Sequence, residues 1–157
     1  MKKFLMTVLI LTFVFTLAAC GARSSFGVDY DSSRITATAK NADAESSGTG
    51  YLSLESDMTL TITGDMEEGI IEVRVYPLTE VLEAEESTLS DENASPEEVL
   101  QAVTGDDISV IMKEEPLAFA RIERQDQMTC DIRAGEYVVV CSVPEKGATG
   151  TVTIEAK

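Results

Sequence analysis

The sequence predicts an all-β fold, an antiparallel β-sandwich of jelly-roll or immunoglobulin-like type with one short helix in an acidic insertion. Three observations lead there. Apolar residues alternate with polar ones in short segments from Ile35 onward, the period of a strand with one buried face. Gly, Asp, Ser and Pro punctuate these segments at close spacing, as turns between strands require. The chain has 157 residues, enough for one sizeable core and too few for two.

The N-terminus reads as an export signal rather than as part of that core. Met1-Lys2-Lys3 is cationic, and residues 4–19 carry no charged side chain. That run is shorter than the roughly 20 residues of a spanning helix and ends in small residues suited to a peptidase. Its last residues, Leu17-Ala18-Ala19-Cys20, resemble the lipobox of bacterial lipoproteins at all four positions. The resemblance implies that residues 1–19 are removed and that the Cys20 thiol carries a diacylglycerol, an acyl anchor worth about 0.8 kcal/mol per buried methylene. It further implies an extracytoplasmic, membrane-anchored protein. Gly21 in place of Asp implies the outer membrane in a Gram-negative cell, whereas a Gram-positive cell offers only the outer face of its plasma membrane.

Residues 20–33 have the Gly, Ser and Asp content of a flexible tether, which would reach about 40 Å when extended. The domain is then expected over residues 34–157. Its strand patterns are Ile35, Ala37, Ala39; Leu52, Leu54; Met58, Leu60, Ile62; and Ile71, Val73, Val75. Residues 64–69 (GDMEEG) read as a hairpin connection between the last two. Residues 78–107 form the acidic insertion. Within it Ser95 precedes Pro96, Glu97 and Glu98, and Val99, Leu100 and Val103 make an apolar stripe, which together predict a two-turn helix. The strand pattern resumes at Ile108, Val110, Met112; Ala118, Ala120, Ile122; and Met128, Cys130, Ile132. It closes with Tyr137, Val139, Cys141, Val143 and with Val152, Ile154, Ala156, for about nine strands in all.

Cys130 and Cys141 are an even pair in an exported chain, so a disulfide between them is expected, with two buried free thiols as the alternative. They flank a stretch reading as strand, turn and strand. A turn centred between Ala134 and Gly135 would set Cys130 opposite Val139 and place Cys141 diagonally on the same face. The stretches 134–140 and 150–154 are similar to the last two strands of small secreted bacterial jelly-roll modules, a likeness that bears on topology alone.

Composition excludes more than it assigns. With 28 Asp and Glu against 12 Lys and Arg, the formal charge is −16, and loss of Lys2 and Lys3 with the signal makes it more negative. Such a body is repelled by phosphate backbones, so no nucleic acid is expected as a partner. The absence of His removes imidazole-based triads and His-bearing zinc sites, and no Ser-x-x-Lys or Gly-x-Ser-x-Gly stands in for them. No cofactor and no metal site are expected. Asp91, Glu92, Asp106 and Asp107 are the candidate oxygens for calcium, without the Gly and closing Glu of a twelve-residue hand. The reading that follows is a non-enzymatic binding or accessory module at the cell envelope. It would meet an unknown protein or envelope partner through its acidic loop or a sheet face. A small hydrolase using paired carboxylates, or a structural envelope component without a site, are the alternatives.

Overall fold

The computed structural model describes residues 24–31, 33–79 and 115–157. The signal segment, the predicted helix and the strand at 108–112 lie outside the described residues. So does the acidic insertion, apart from its first two residues.

Nine strands occur among the described residues: β1 (Ser25–Tyr30), β2 (Arg34–Ala42), β3 (Ser47–Leu54), β4 (Met58–Glu68), β5 (Ile70–Pro77), β6 (Ala118–Glu123), β7 (Gln127–Ile132), β8 (Gly135–Ser142) and β9 (Ala148–Ala156). They form a five-stranded sheet in the order β1-β2-β9-β4-β7 and a four-stranded sheet in the order β3-β8-β5-β6. Every neighbouring pair is antiparallel. Only the β1–β2 and β5–β6 connections stay within a sheet, and all others carry the chain across to the opposite one. Apart from β1 this leaves two interleaved four-stranded sheets, 2-9-4-7 over 3-8-5-6, which is the strand order of a jelly roll.

Alternation decides which residues fill the space between the sheets. Ile35, Ala37, Leu60, Ile62, Val152 and Ile154 point in from the five-stranded sheet, and Leu52, Ile71, Val73, Val75, Val139 and Cys141 meet them from the other; all are buried. These are the positions that the period-two pattern selects. Burying such an aliphatic side chain is worth about 1.5–3 kcal/mol, so a slip of one residue in any strand would forfeit several such contributions.

Three local expectations are corrected. The tether ends sooner than its composition suggests, because Ser25–Tyr30 is a strand that pairs along its whole length with β2, Ser25 opposite Lys40 and Tyr30 opposite Ile35. Phe26 and Val28 pack against the core, and Val28 occupies the space that a Cβ on Gly48 would need, 2.7 Å away. The stretch 64–69 is not a hairpin loop either. Strand β4 continues through it to Glu68 with Met66 buried, and only Gly69, at φ +74°, separates it from β5. That corner sends the chain into the other sheet, so β4 and β5 never pair.

The third correction concerns the cysteines. Strands β7 and β8 do not form a hairpin: β7 pairs with β4, placing Cys130 opposite Leu60, while β8 pairs with β3 and β5, placing Cys141 opposite Gly48 and Val73. The two residues lie in different sheets, and both are free thiols. A strand-turn-strand pattern specifies two strands, but in a sandwich the turn can lead to either sheet.

Close packing makes one glycine specific. Gly64 lies in β4 beneath Ile122 of β6, and a Cβ built there would overlap the Ile122 Cγ2 atom and stand 3.3 Å from the Arg124 carbonyl oxygen. Gly64→Ala is therefore expected to cost about 1–3 kcal/mol, as overpacking does. In urea unfolding, Ile122→Ala, which removes the overlapping Cγ2, should cost stability on its own and cost less in the Gly64→Ala background.

Candidate functional site

Strand directions sort the loops into two ends. Odd-numbered strands run from the end where Ser25 begins to the end where β1 meets β2, and even-numbered strands run back. The first end, here the proximal pole, holds the β2–β3, β4–β5, β6–β7 and β8–β9 connections. The opposite, distal pole holds the β1–β2, β3–β4 and β7–β8 turns and Lys157. Residues 80–114 leave from and return to the distal pole, between Pro77 of β5 and Ala118 of β6.

At the distal pole, the start of β4, the end of β7 and Lys157 enclose an open recess of about 500 Å³. It is lined by Met58 and Ile132, which are paired across the two strands, together with Asp57, Thr59, Asp131, Arg133 and Lys157. Backbone bonds hold the wall in place: Thr59 N donates to the Lys157 carbonyl at 2.8 Å, and Lys157 N donates to that of Thr59 at 3.0 Å. Both carboxylates are tied down. Asp57 Oδ1 accepts from the Ala134 backbone N–H at 2.9 Å and so fixes the β7–β8 turn, while Asp131 Oδ1 accepts from Thr59 Oγ1 at 3.4 Å. The same turn is braced from inside, where the Tyr137 hydroxyl donates to the Arg133 carbonyl at 3.0 Å. Lys157 Nζ lies 2.6 Å from Glu155, and this contact, with Arg34 at 3.4 Å, holds the half-buried Glu155 carboxyl below the usual range. The recess thus offers two carboxylates, a guanidinium and an ammonium around a small apolar floor, and no aromatic ring lines it.

A second recess at the proximal pole is lined by Asp65, Met66, Glu67, Glu123, Arg124, Gln125 and Asp126. Here Asp126 Oδ2 accepts from the Glu123 backbone N–H, and Arg124 takes the left-handed conformation at φ +61° to close the β6–β7 turn. Among the described residues no group of three or more Asp, Glu or Cys side chains is placed to hold a metal ion.

The face of the four-stranded sheet turned away from the core carries cross-strand rows. Tyr51, Val138 and Tyr76 form one; Thr49, Val140, Arg74 and Phe119 form the next. Arg74 is the hub of this face. Its guanidinium lies 2.6 Å from Glu72 Oε2, donates to Ser142 Oγ at 3.2 Å and stacks over Phe119 at 5.1 Å from the ring centroid. Val138, Val140 and Tyr76 are buried as fully as core residues, so this face is closed to solvent and Phe119 at its edge is exposed. The outward face of the five-stranded sheet differs, since Thr38, Thr63 and Thr129 on it are exposed. Neither the Arg74 cluster nor the distal recess was singled out in the sequence. The only trace of the former is the Glu72-x-Arg74 spacing, which puts both side chains on one strand face.

Of the residues singled out in the sequence, Cys20 and the acids Asp91, Glu92, Asp106 and Asp107 lie outside the described residues. Of the two remaining cysteines, Cys141 belongs to the core and the half-buried Cys130 packs against it. Burial pushes the Cys141 thiol up to about 12, and burial with the adjacent Asp131 charge raises that of Cys130. On the outward sheet face, burial and then the neighbouring Glu136 carboxylate push the Tyr51 phenol up to about 12, with Ser53 opposing.

No protein-family model matches the chain, and no curated protein matches it in sequence. Among solved structures it is similar to a CBM4 structure, with 10% identity over 87% of this chain and 76% of that one and a TM-score of 0.37. It is also similar to the Schizosaccharomyces pombe Cnp3 cupin domain, with 9% identity over 90% and 67% of the two chains and a TM-score of 0.31. A cupin domain from Bordetella pertussis matches with 13% identity over 87% and 94% and a TM-score of 0.30. At these scores no ligand or activity transfers to this chain.

Two predictions follow from the titrating groups. A non-reducing peptide map should recover Cys130 and Cys141 unpaired, and under native conditions a thiol reagent should modify Cys130 slowly and Cys141 only after unfolding. Alkaline sensitivity is the second. A thiol or phenol with a raised pKa binds its proton more tightly when folded, so its stabilising contribution is whole below the unfolded value and is lost as pH climbs through the folded one. Unfolded values are about 8.5 for Cys and about 10 for Tyr. The urea midpoint should therefore fall as pH rises from about 8.5 toward 12, and Tyr51→Phe should flatten the part of that fall above about pH 10.

Proposed function

We propose that this protein is an extracytoplasmic bacterial lipoprotein, held at the membrane by acyl chains on Cys20, that serves as a binding or accessory module of the cell envelope. The lipobox-like Leu17-Ala18-Ala19-Cys20 supports the anchor, and Ser24, the first described residue, is exposed at the proximal pole. The observation that carries the binding role is the distal recess, where Met58 and Ile132 are ringed by Asp57, Asp131, Arg133 and Lys157. Fixed charges of both signs around an apolar floor suit a protein segment that brings an apolar side chain flanked by charged ones. A sugar polymer fits less well, because its ring faces call for aromatic platforms that this recess lacks.

The mature N-terminal peptide is expected to carry its acyl chains on Cys20, and Cys20→Ala should yield no acylated mature form by mass spectrometry. For the recess, a photo-crosslinking residue placed at Thr59 in the lipidated protein, in its own envelope, should capture a discrete protein partner. The same probe at Glu67 should not, and Arg133→Glu should weaken the Thr59 adduct severalfold. Equal capture from both positions, or capture indifferent to Arg133, would overturn the recess as the binding surface.

A further inference from the structure

Because each strand reverses the direction of the one before it, the chain enters the fold at the pole opposite the recess. Entry is pinned there. Ser24 Oγ donates to Asp43 Oδ2 at 2.8 Å, and Asp43 faces Lys146 at 3.6 Å, so the first described residue sits on the β2–β3 and β8–β9 turns. From Ser25 the backbone is committed to β1. Only residues 21–24 then separate the strand from Cys20, a leash of at most about 14 Å. The body is longer than that. Strands of nine to eleven residues run between the poles, a distance of about 30 Å.

We infer that the proximal pole faces the lipid surface at close range and that the distal recess, with the exit points of residues 80–114, is presented outward. The inference rests on the acylation of Cys20 proposed above. A leash shorter than half the body cannot let the molecule turn its far end to the bilayer. Charge sets the remaining freedom. The proximal connections bear Asp43, Glu45, Asp126 and Glu145 against Arg124 and Lys146, with Glu67 and Glu68 beside them at the end of β4, and the whole chain is formally −16. Anionic headgroups repel such a surface within a Debye length of about 8 Å, so the body rises on its leash and touches lipid with as little side surface as possible. A tether running from Cys20 to residue 33 would have allowed free tumbling; β1 removes it.

The test uses the full lipidated protein in vesicles containing anionic lipid. A donor dye is attached at Lys146→Cys on the proximal pole or at Arg133→Cys on the distal pole, in a Cys130→Ser background with the buried Cys141 left in place. A short-range acceptor is carried on lipid headgroups. Energy transfer should be severalfold stronger from the proximal position, and a ten-residue Gly/Ser insertion between Arg23 and Ser24 should erase that difference. Equal transfer from both poles without the insertion, or stronger transfer from the distal one, would overturn the orientation. The mass of the N-terminal peptide separates the two readings. Acylated Cys20 with equal transfer sinks the orientation alone, whereas an unmodified Cys20 sinks the anchoring reading and this inference with it.

Discussion

A single aliphatic layer lies between the two sheets, and the rest of the molecule is arranged around keeping it dry. Neither sheet could stand alone with Val, Ile and Leu on one face exposed to water. Because the chain changes sheets at all but two of its connections, every strand except β1 pairs within its own sheet with at least one strand from a remote part of the sequence. The layer therefore forms all at once rather than hairpin by hairpin. Its closeness shows at Gly64 and Gly48, where the missing side chains admit Ile122 and Val28 from the facing sheet. A topology this rich in long-range pairing is expected to fold slowly.

The same alternation that builds the layer gives the molecule two unlike ends. Short turns and the N-terminal entry share the proximal pole, where Ser24, Asp43 and Lys146 are linked. The C-terminus, the fixed β7–β8 turn and the recess share the other. The anchor proposed at the chain start and the binding surface proposed at the distal pole would then be separated by the length of a strand, so that one domain could be held at a surface while its opposite end met a partner. The outward face of the four-stranded sheet takes no part in this. Arg74, with Glu72, Ser142 and Phe119 around it, satisfies a charge that its burial would otherwise make costly.

Much of the fold was legible in the residues. The triplets Ile35, Ala37, Ala39 and Ile71, Val73, Val75 were read as inward faces, and they are buried. Strand β1 was hidden because its alternating Phe26 and Val28 are interleaved with Gly27 and Asp29, and turn-forming composition outweighed a period of only two apolar residues. Composition misled again at residues 64–69, where Gly64 is a packing residue and only Gly69 turns the chain. The expected Cys130–Cys141 bridge rested on a local hairpin, and a local pattern carries no information about which sheet the next strand will join. The distal recess was not visible at all, since Asp57, Asp131 and Lys157 come from three separate regions of the chain.

What the sequence determined by itself was the alternation, and with it the strand faces, the all-β class and the membership of the core, because each of these depends on near neighbours two residues apart. It also held the signal-like N-terminus and the formal charge of −16. Tertiary structure alone decided the pairing order, the separation of Cys130 from Cys141, the cost of a side chain at Gly64 and the meeting of charges at the distal pole. Those depend on which remote strands share a sheet, and that choice is made by the closing of the common core rather than by any segment within it.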